Sequence, residues 1–175
     1  ALVSMPFIQA KSATSADELF HGVYRWHDIE GLPNRQIQNA VFDQQGLLWL
    51  ATANGVVTFN GLNTANFEHL AEYPKGIIRE VIHHSSGTSY AIGMDEIWLY
   101  QNESWQKIGA DLKLFPSQYT HQILKSVEDN NGAIWLTSER DLLKIEQQNI
   151  TRYADIGQSL LNLIIDEENR IWVAD

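Results

Sequence analysis

The sequence predicts an all-β chain: a partial β-propeller of four-stranded antiparallel blades, three full blades plus part of a fourth. Two observations carry that prediction. A short phrase (an acid, two polar residues, a glycine, two residues, an aromatic) recurs as Asp43–Gly46–Trp49, His84–Gly87–Tyr90, Asp129–Gly132–Trp135 and Asp166–Asn169–Trp172. His84 stands in for the acid and Asn169 for the glycine, and the turn positions lie 41, 45 and 37 residues apart. A period of about 40 residues marks stacked units that cannot bury their faces alone. Second, each unit breaks into four short segments of β-branched and aromatic residues separated by Gly, Asn and Asp.

Taken in order, residues 37–43, 78–84, 123–129 and 160–166 align as first strands. Locally, 123–127 could pass for helix, but its equivalents 37–41 and 78–82 lack helical capping, so the repeat sets it as strand. The Asp-x-x-Gly step suits a tight hairpin, because the Asp side chain caps the turn and Gly accepts a positive φ. The aromatic then opens the second strand. Ten residues beyond it stand Phe59, Tyr100 and Ile145, which close third strands at 55–59, 96–100 and 141–145. Fourth strands are expected at 66–70, 104–108 and 149–153. Trp26 precedes Ile37 by the same 11 residues that separate Phe67 from Ile78, so 24–28 is expected as an outer strand ahead of the first blade. The repeated tryptophans Trp49, Trp135 and Trp172 are expected at equivalent buried positions between blades.

Composition narrows the function classes. A formal charge of −10 leaves no basic patch to displace counterions, so nucleic acid is not an expected partner. With no cysteine there is no disulfide framework, thiol nucleophile or zinc-finger spacing. Residues 1–17, apolar and then small and polar, read either as a signal-peptide remnant or as a disordered leader. Residues 18–175 read as the N-terminal part of a β-propeller domain, and no run beyond the leader approaches a membrane span. The last residues, 171–175, fall inside a second strand, so the chain is expected to be a piece of a longer one. End-blade residues Val41, Val57, Ile164 and Ile171 should then face the rest of that chain or a second copy in a homo-oligomer.

No phosphate loop, dinucleotide fingerprint, His-Glu-x-x-His helix, EF-hand or nucleophile elbow occurs, so no cofactor and no enzymatic activity are expected. His83 and His84 attract attention, but neighbours on a strand point to opposite faces and cannot share one ion.

A ligand, if bound, is expected at the end of the blades where loops enter the first strands and join the second to the third. That end gathers Asn34, Arg35, Gln36, Asn54, Gln118, His121 and Arg140. Amides, one imidazole and two guanidinium groups suit a neutral or mildly anionic small molecule or an oligosaccharide.

Trp26 through Ile37 with its Gly31-Leu32-Pro33 step, 43–52, Asn54-Gly55 with Phe59-Asn60-Gly61, and Phe67 resemble the two-component-regulator propeller repeat. The third repeat keeps Asp129, Gly132 and Trp135 but has Asp141 for a glycine. The second departs most, with His84, Tyr90 and Glu96. The resemblance covers residues 24–175. It implies an extracytoplasmic, periplasmic sensor region of an inner-membrane histidine kinase or diguanylate cyclase. Alternatives are a propeller that docks other proteins and a carbohydrate-active propeller enzyme.

Overall fold

Each hairpin that opens a blade is organised by one carboxylate. Asp43 Oδ1 accepts the backbone N–H groups of Gln45 and Leu47, both at 2.9 Å, while Oδ2 accepts the Trp49 indole N–H at 3.0 Å. Gly46 sits at φ 81° and donates its N–H to Asp43 O at 3.1 Å, and Asp43 N–H returns to Leu47 O. This is the three-residue hairpin loop whose last residue must be left-handed. Asp129 repeats it with Asn131, Ala133 and the Trp135 indole, each at 2.9 Å. Asp166 repeats it with Glu168, Arg170 and the Trp172 indole at 2.7 Å. Asn169 supplies the left-handed residue there, at φ 61°, a conformation Asn tolerates better than most side chains.

A computed structural model describes residues 29–110, 112, 125–138, 140–157, 160 and 162–174. The leader 1–17 and the outer strand expected at 24–28 lie outside them. The first sheet runs β1 (Ile37–Phe42), β2 (Leu48–Thr52), β3 (Gly55–Phe59) and β4 (Thr64–Asn66). The second runs β5 (Ile78–His83), β6 (Ser89–Gly93), β7 (Ile97–Gln101) and β8 (Ser104–Gly109). The third holds β9 (Ser126–Glu128), β10 (Ile134–Thr137), β11 (Leu142–Glu146) and β12 (Asn149–Tyr153). β13 (Asn162–Ile165) pairs with β14 (Ile171–Ala174). Every pairing is antiparallel between consecutive strands, so the chain folds as the expected all-β partial propeller.

One strand departs from expectation. The fourth strand of the first blade is β4 at 64–66, not 66–70. Phe59 pairs with Thr64 as Tyr100 pairs with Trp105, so Thr64, and not Phe67, is the counterpart of Trp105. Beyond β4 the chain turns, with Asn66 Oδ1 accepting the Glu68 N–H at 3.3 Å, and Phe67 enters the interface between blades from a loop.

Strand alternation gives each sheet two apolar faces, and the second sheet meets a neighbour on both. Trp49, Ala51, Val56 and Phe67 of the first blade pack against Ile78, Val81, Ala91, Trp98 and Trp105 of the second. Tyr90, Ile92, Ile97 and Leu99 pack against Ile134, Leu136, Leu143 and Ile145 of the third. The aromatic of the phrase thus faces the following blade in the first two blades. That explains why the tryptophans are equivalent in register and bonding yet not all buried. Trp49 is 5% exposed, Trp135 is half-buried against Tyr153, and Trp172 is 54% exposed on a sheet face that no described residue covers. Among the expected exposed residues, Ile164 is exposed, whereas Val57 is buried among Leu48 and Leu50 of its own blade.

Two outcomes follow from the clamp. Trp49→Phe leaves Asp43 Oδ2 without its donor inside an interface, so unfolding in denaturant should show a loss of about 1–3 kcal/mol, and Trp172→Phe a distinctly smaller one. Acid should also act through these carboxylates. Burial alone would raise Asp43 and Asp129, but the indole and backbone N–H donors outweigh it and hold both below 3.8. At Asp166 the Trp172 indole is the main cause, and the pKa falls to about 2. Carboxylates depressed in the folded state contribute stability above their unfolded pKa and lose it as pH falls through the folded one. Melting temperature should therefore drop between pH 3.8 and about 2, and Trp172→Phe should flatten part of that limb.

Candidate functional site

The antiparallel register Ile37↔Thr52 brings the chain entering β1 and the β2–β3 turn to one end of the first blade. Gln36 O accepts the Ala53 N–H at 3.2 Å, which ties the two segments together. Asn34 Oδ1 accepts the Gln36 N–H at 2.7 Å, so this amide is spent partly on shaping its own turn. Thr52 Oγ1 accepts the Asn54 N–H at 3.0 Å and donates to Gly55 O at 2.8 Å, which leaves the Asn54 side chain exposed. Arg35 and Gln36 are exposed beside it.

A cleft of about 180 Å³ opens next to Asn54, with Pro33, Asn66, Phe67, Tyr73 and Lys75 among its walls. The Lys75 ammonium lies 4.6 Å from the Tyr73 ring centroid, a cation–π contact that holds a positive charge at the rim. Neither Tyr73 nor Lys75 is among the candidates the sequence suggests. An aromatic directly before Pro-Lys in a loop was the available signal.

Arg140 stands at the same end of the third blade, in the turn after β10, but its guanidinium is paired with Asp155 at 3.0 Å. Arg152 is likewise held by buried Asp141 at 2.6 Å. Asn34, Arg35, Gln36 and Asn54 are therefore brought together, while Arg140 belongs to another blade. Gln118 and His121 lie outside the described residues.

The first strands of successive blades are stitched by polar groups that sequence reasoning missed. Asn39 Oδ1 accepts the Val81 N–H at 3.1 Å, and Glu80, at the equivalent register, accepts the Ser126 hydroxyl at 2.6 Å. Glu80 is buried, and its Oε2 has no hydrogen-bond partner among the described residues. His83 points toward the first blade, accepting the Gln44 N–H at 3.4 Å, whereas His84 meets Gly132 of the third at 2.7 Å. The two imidazoles face opposite ways, and the described residues hold no cluster of three or more metal-ligating side chains. No described helix is long and apolar enough to cross a membrane.

Comparisons with known proteins bear on the fold. No protein-family model and no curated protein matches the chain. Among solved structures, the chain is similar to virginiamycin B lyase from Staphylococcus aureus, with TM-score 0.60 and 15% identity over 79% of this chain and 48% of the lyase. It is also similar to the extracellular domain of a protein assigned to the hybrid two-component systems of B. thetaiotaomicron. There the TM-score is 0.62 and the identity 16%, over 86% of this chain and 22% of that one. A second such extracellular domain from that organism gives 0.58 and 18%, over 79% and 19%. The chain thus spans under half the length of each. The likeness shows the propeller fold, and the extracellular two-component domains agree with the family resemblance carried by the repeat. The expectation of no enzymatic activity is corrected: virginiamycin B lyase is an enzyme on this same fold, so the absence of a familiar catalytic motif does not exclude catalysis here.

Glu80 generates a prediction with a definite sign. Burial raises its pKa above 4.5, against the lowering effects of the Ser126 hydroxyl and the Lys125 charge. A carboxyl raised in the folded state contributes stability that is complete below its unfolded pKa and disappears as pH climbs through the folded value. Glu80→Gln should accordingly melt higher than the parent at neutral pH, and the gap should close below pH 4.5. A lower melting temperature at neutral pH would mean that the carboxylate is compensated in the folded chain.

Proposed function

We propose that the chain is part of a ligand-binding propeller on the extracytoplasmic side of a membrane-bound bacterial signalling receptor, with a histidine kinase or diguanylate cyclase as its output. The observation that carries this is the repeat itself, Asp-x-x-Gly-x-x-Trp following Gly-Leu-Pro, together with the likeness to extracellular two-component domains. The ligand end of the first blade supplies the site: exposed Arg35, Gln36 and Asn54 beside the Tyr73–Lys75 cleft. Its positive rim and amides suit a mildly anionic or neutral small molecule or oligosaccharide. The rest of the receptor chain or a second copy covers the exposed face of β13 and β14. Catalysis at the same end is the second reading, favoured by the likeness to a lyase.

Calorimetry with a panel of organic acids and short oligosaccharides tests the site. Arg35→Ala and Lys75→Ala should each weaken an anionic ligand by about 10- to 100-fold, the worth of a charge-assisted hydrogen bond of about 1.5–3 kcal/mol. Unchanged affinity in both variants would put the site elsewhere. Chemical conversion of the bound compound, followed by mass spectrometry, would favour the second reading.

A further inference from the structure

The interface between the second and third blades is built differently from the one before it. Between the first two blades, Trp49, Phe67, Tyr100 and Trp105 form an aromatic quartet with ring centroids 4.9–6.2 Å apart. At the corresponding register of the next interface stand Tyr90, Ile108, Ile145 and Ile150. Ile108, Leu112 and Ile150 close the apolar core of this interface. Beyond them, at the hairpin end of the sheets and opposite the end that carries Arg35 and Asn54, a groove of about 710 Å³ opens beside Tyr90. Well-packed interiors leave few voids larger than a water molecule, whereas pockets of this size are typical of small-molecule sites.

The same blade is the one that breaks the Asp–indole clamp, and the two exchanges fit each other. His84 keeps the turn-capping role, since its Nδ1 accepts the Ser86 N–H at 3.0 Å. A backbone N–H can only donate, so the ring hydrogen is at Nε2, where it donates to Gly132 O at 2.7 Å. Tyr90, freed from an acid partner, donates its hydroxyl to Gln147 O at 3.3 Å, with Gln147 held at φ 56°. Both bonds cross between blades. They fix the two walls of the groove at a set separation, so it is preformed and not a product of loose packing.

The lining decides the chemistry. Tyr90, Leu99 and Ala133 make an apolar floor, and the side-chain amides of Gln101, Asn131 and Asn149 stand around it. The one carboxylate in the lining, Glu146, is neutralised by Lys144 at 2.7 Å, and no lysine or arginine contributes to the walls. A site without net charge gives no advantage to an anion or a cation. Amides that donate and accept at once match hydroxyl groups, and a small apolar floor matches the C–H groups between them. We propose that this groove between the second and third blades is a binding site for a short neutral saccharide. The proposal does not rest on the receptor reading, since it concerns the other end of the sheets.

The test uses the full chain and a panel of neutral saccharides, cellobiose, lactose and maltotriose, with galacturonic acid oligomers as charged counterparts. Affinity is read by calorimetry, and the contact region by amide chemical shifts. The double variant His84→Asp/Tyr90→Trp rebuilds the clamp of the other blades and fills the groove. It should lose at least about tenfold in affinity while keeping its fold. Asn131→Ala and Gln101→Ala, at exposed positions, should each weaken binding, and they decide the matter should the double variant not fold. Asp95→Ala, at an exposed position lining neither cleft, should leave this binding unchanged. No neutral saccharide bound at about 10 mM, tighter binding of the galacturonic acid oligomers, or affinity unaffected by both amide variants would overturn the proposal.

Discussion

The structure depends on a carboxylate with more acceptor capacity than a single turn needs. In Asp43, Asp129 and Asp166 one oxygen closes the hairpin by taking two backbone N–H groups, and the other reaches six residues on to an indole. Three donors on one ion fix the loop, the start of the second strand and the rotamer of its largest side chain together. Because the Trp49 side chain faces the second blade, a local turn also sets how the next sheet packs. Local and long-range order share the same atoms.

The second blade shows how far this arrangement can be altered. An imidazole retains the cap on the turn but offers no second oxygen, and the aromatic beside it carries a hydroxyl in place of an indole N–H. Each group instead finds a main-chain carbonyl on the third blade. The bonding is redirected from within a hairpin to across an interface. The packing changes in step, from stacked rings to branched aliphatic side chains.

Much of the fold was legible in the sequence because turn chemistry is local. The spacing from Asp43 to Trp49 and on to Phe59 determined the first three strands of a blade, and β3 fell where expected. Phe67 misled because an aromatic with the expected offset from Ile78 looks like a strand residue, although its partner in the ladder is set by the length of the Asn60–Asn63 turn. The burial of Trp172 could not be read from its repeat position, since that depends on a neighbouring sheet. The clustering of Asn34 to Gln36 with Asn54 followed from strand direction alone. The engagement of Arg140 by Asp155, the burial of Glu80 and the space beside Tyr90 did not, for each is a property of two segments distant in sequence.

The polar stitches between blades rely mostly on backbone atoms of one partner. Asn39 meets the Val81 N–H, Gln44 meets Ser85 O, His84 meets Gly132 O, Glu128 meets the Ser85 N–H and Asn169 meets the Asn130 N–H. A side chain that recognises a neighbour's backbone does not need that neighbour to have a particular sequence. Such a ring can lengthen or shorten by whole cassettes through duplication, and each copied blade finds its bonds waiting on either side. Only the second blade, with its redirected histidine and tyrosine, would be missed for its own shape.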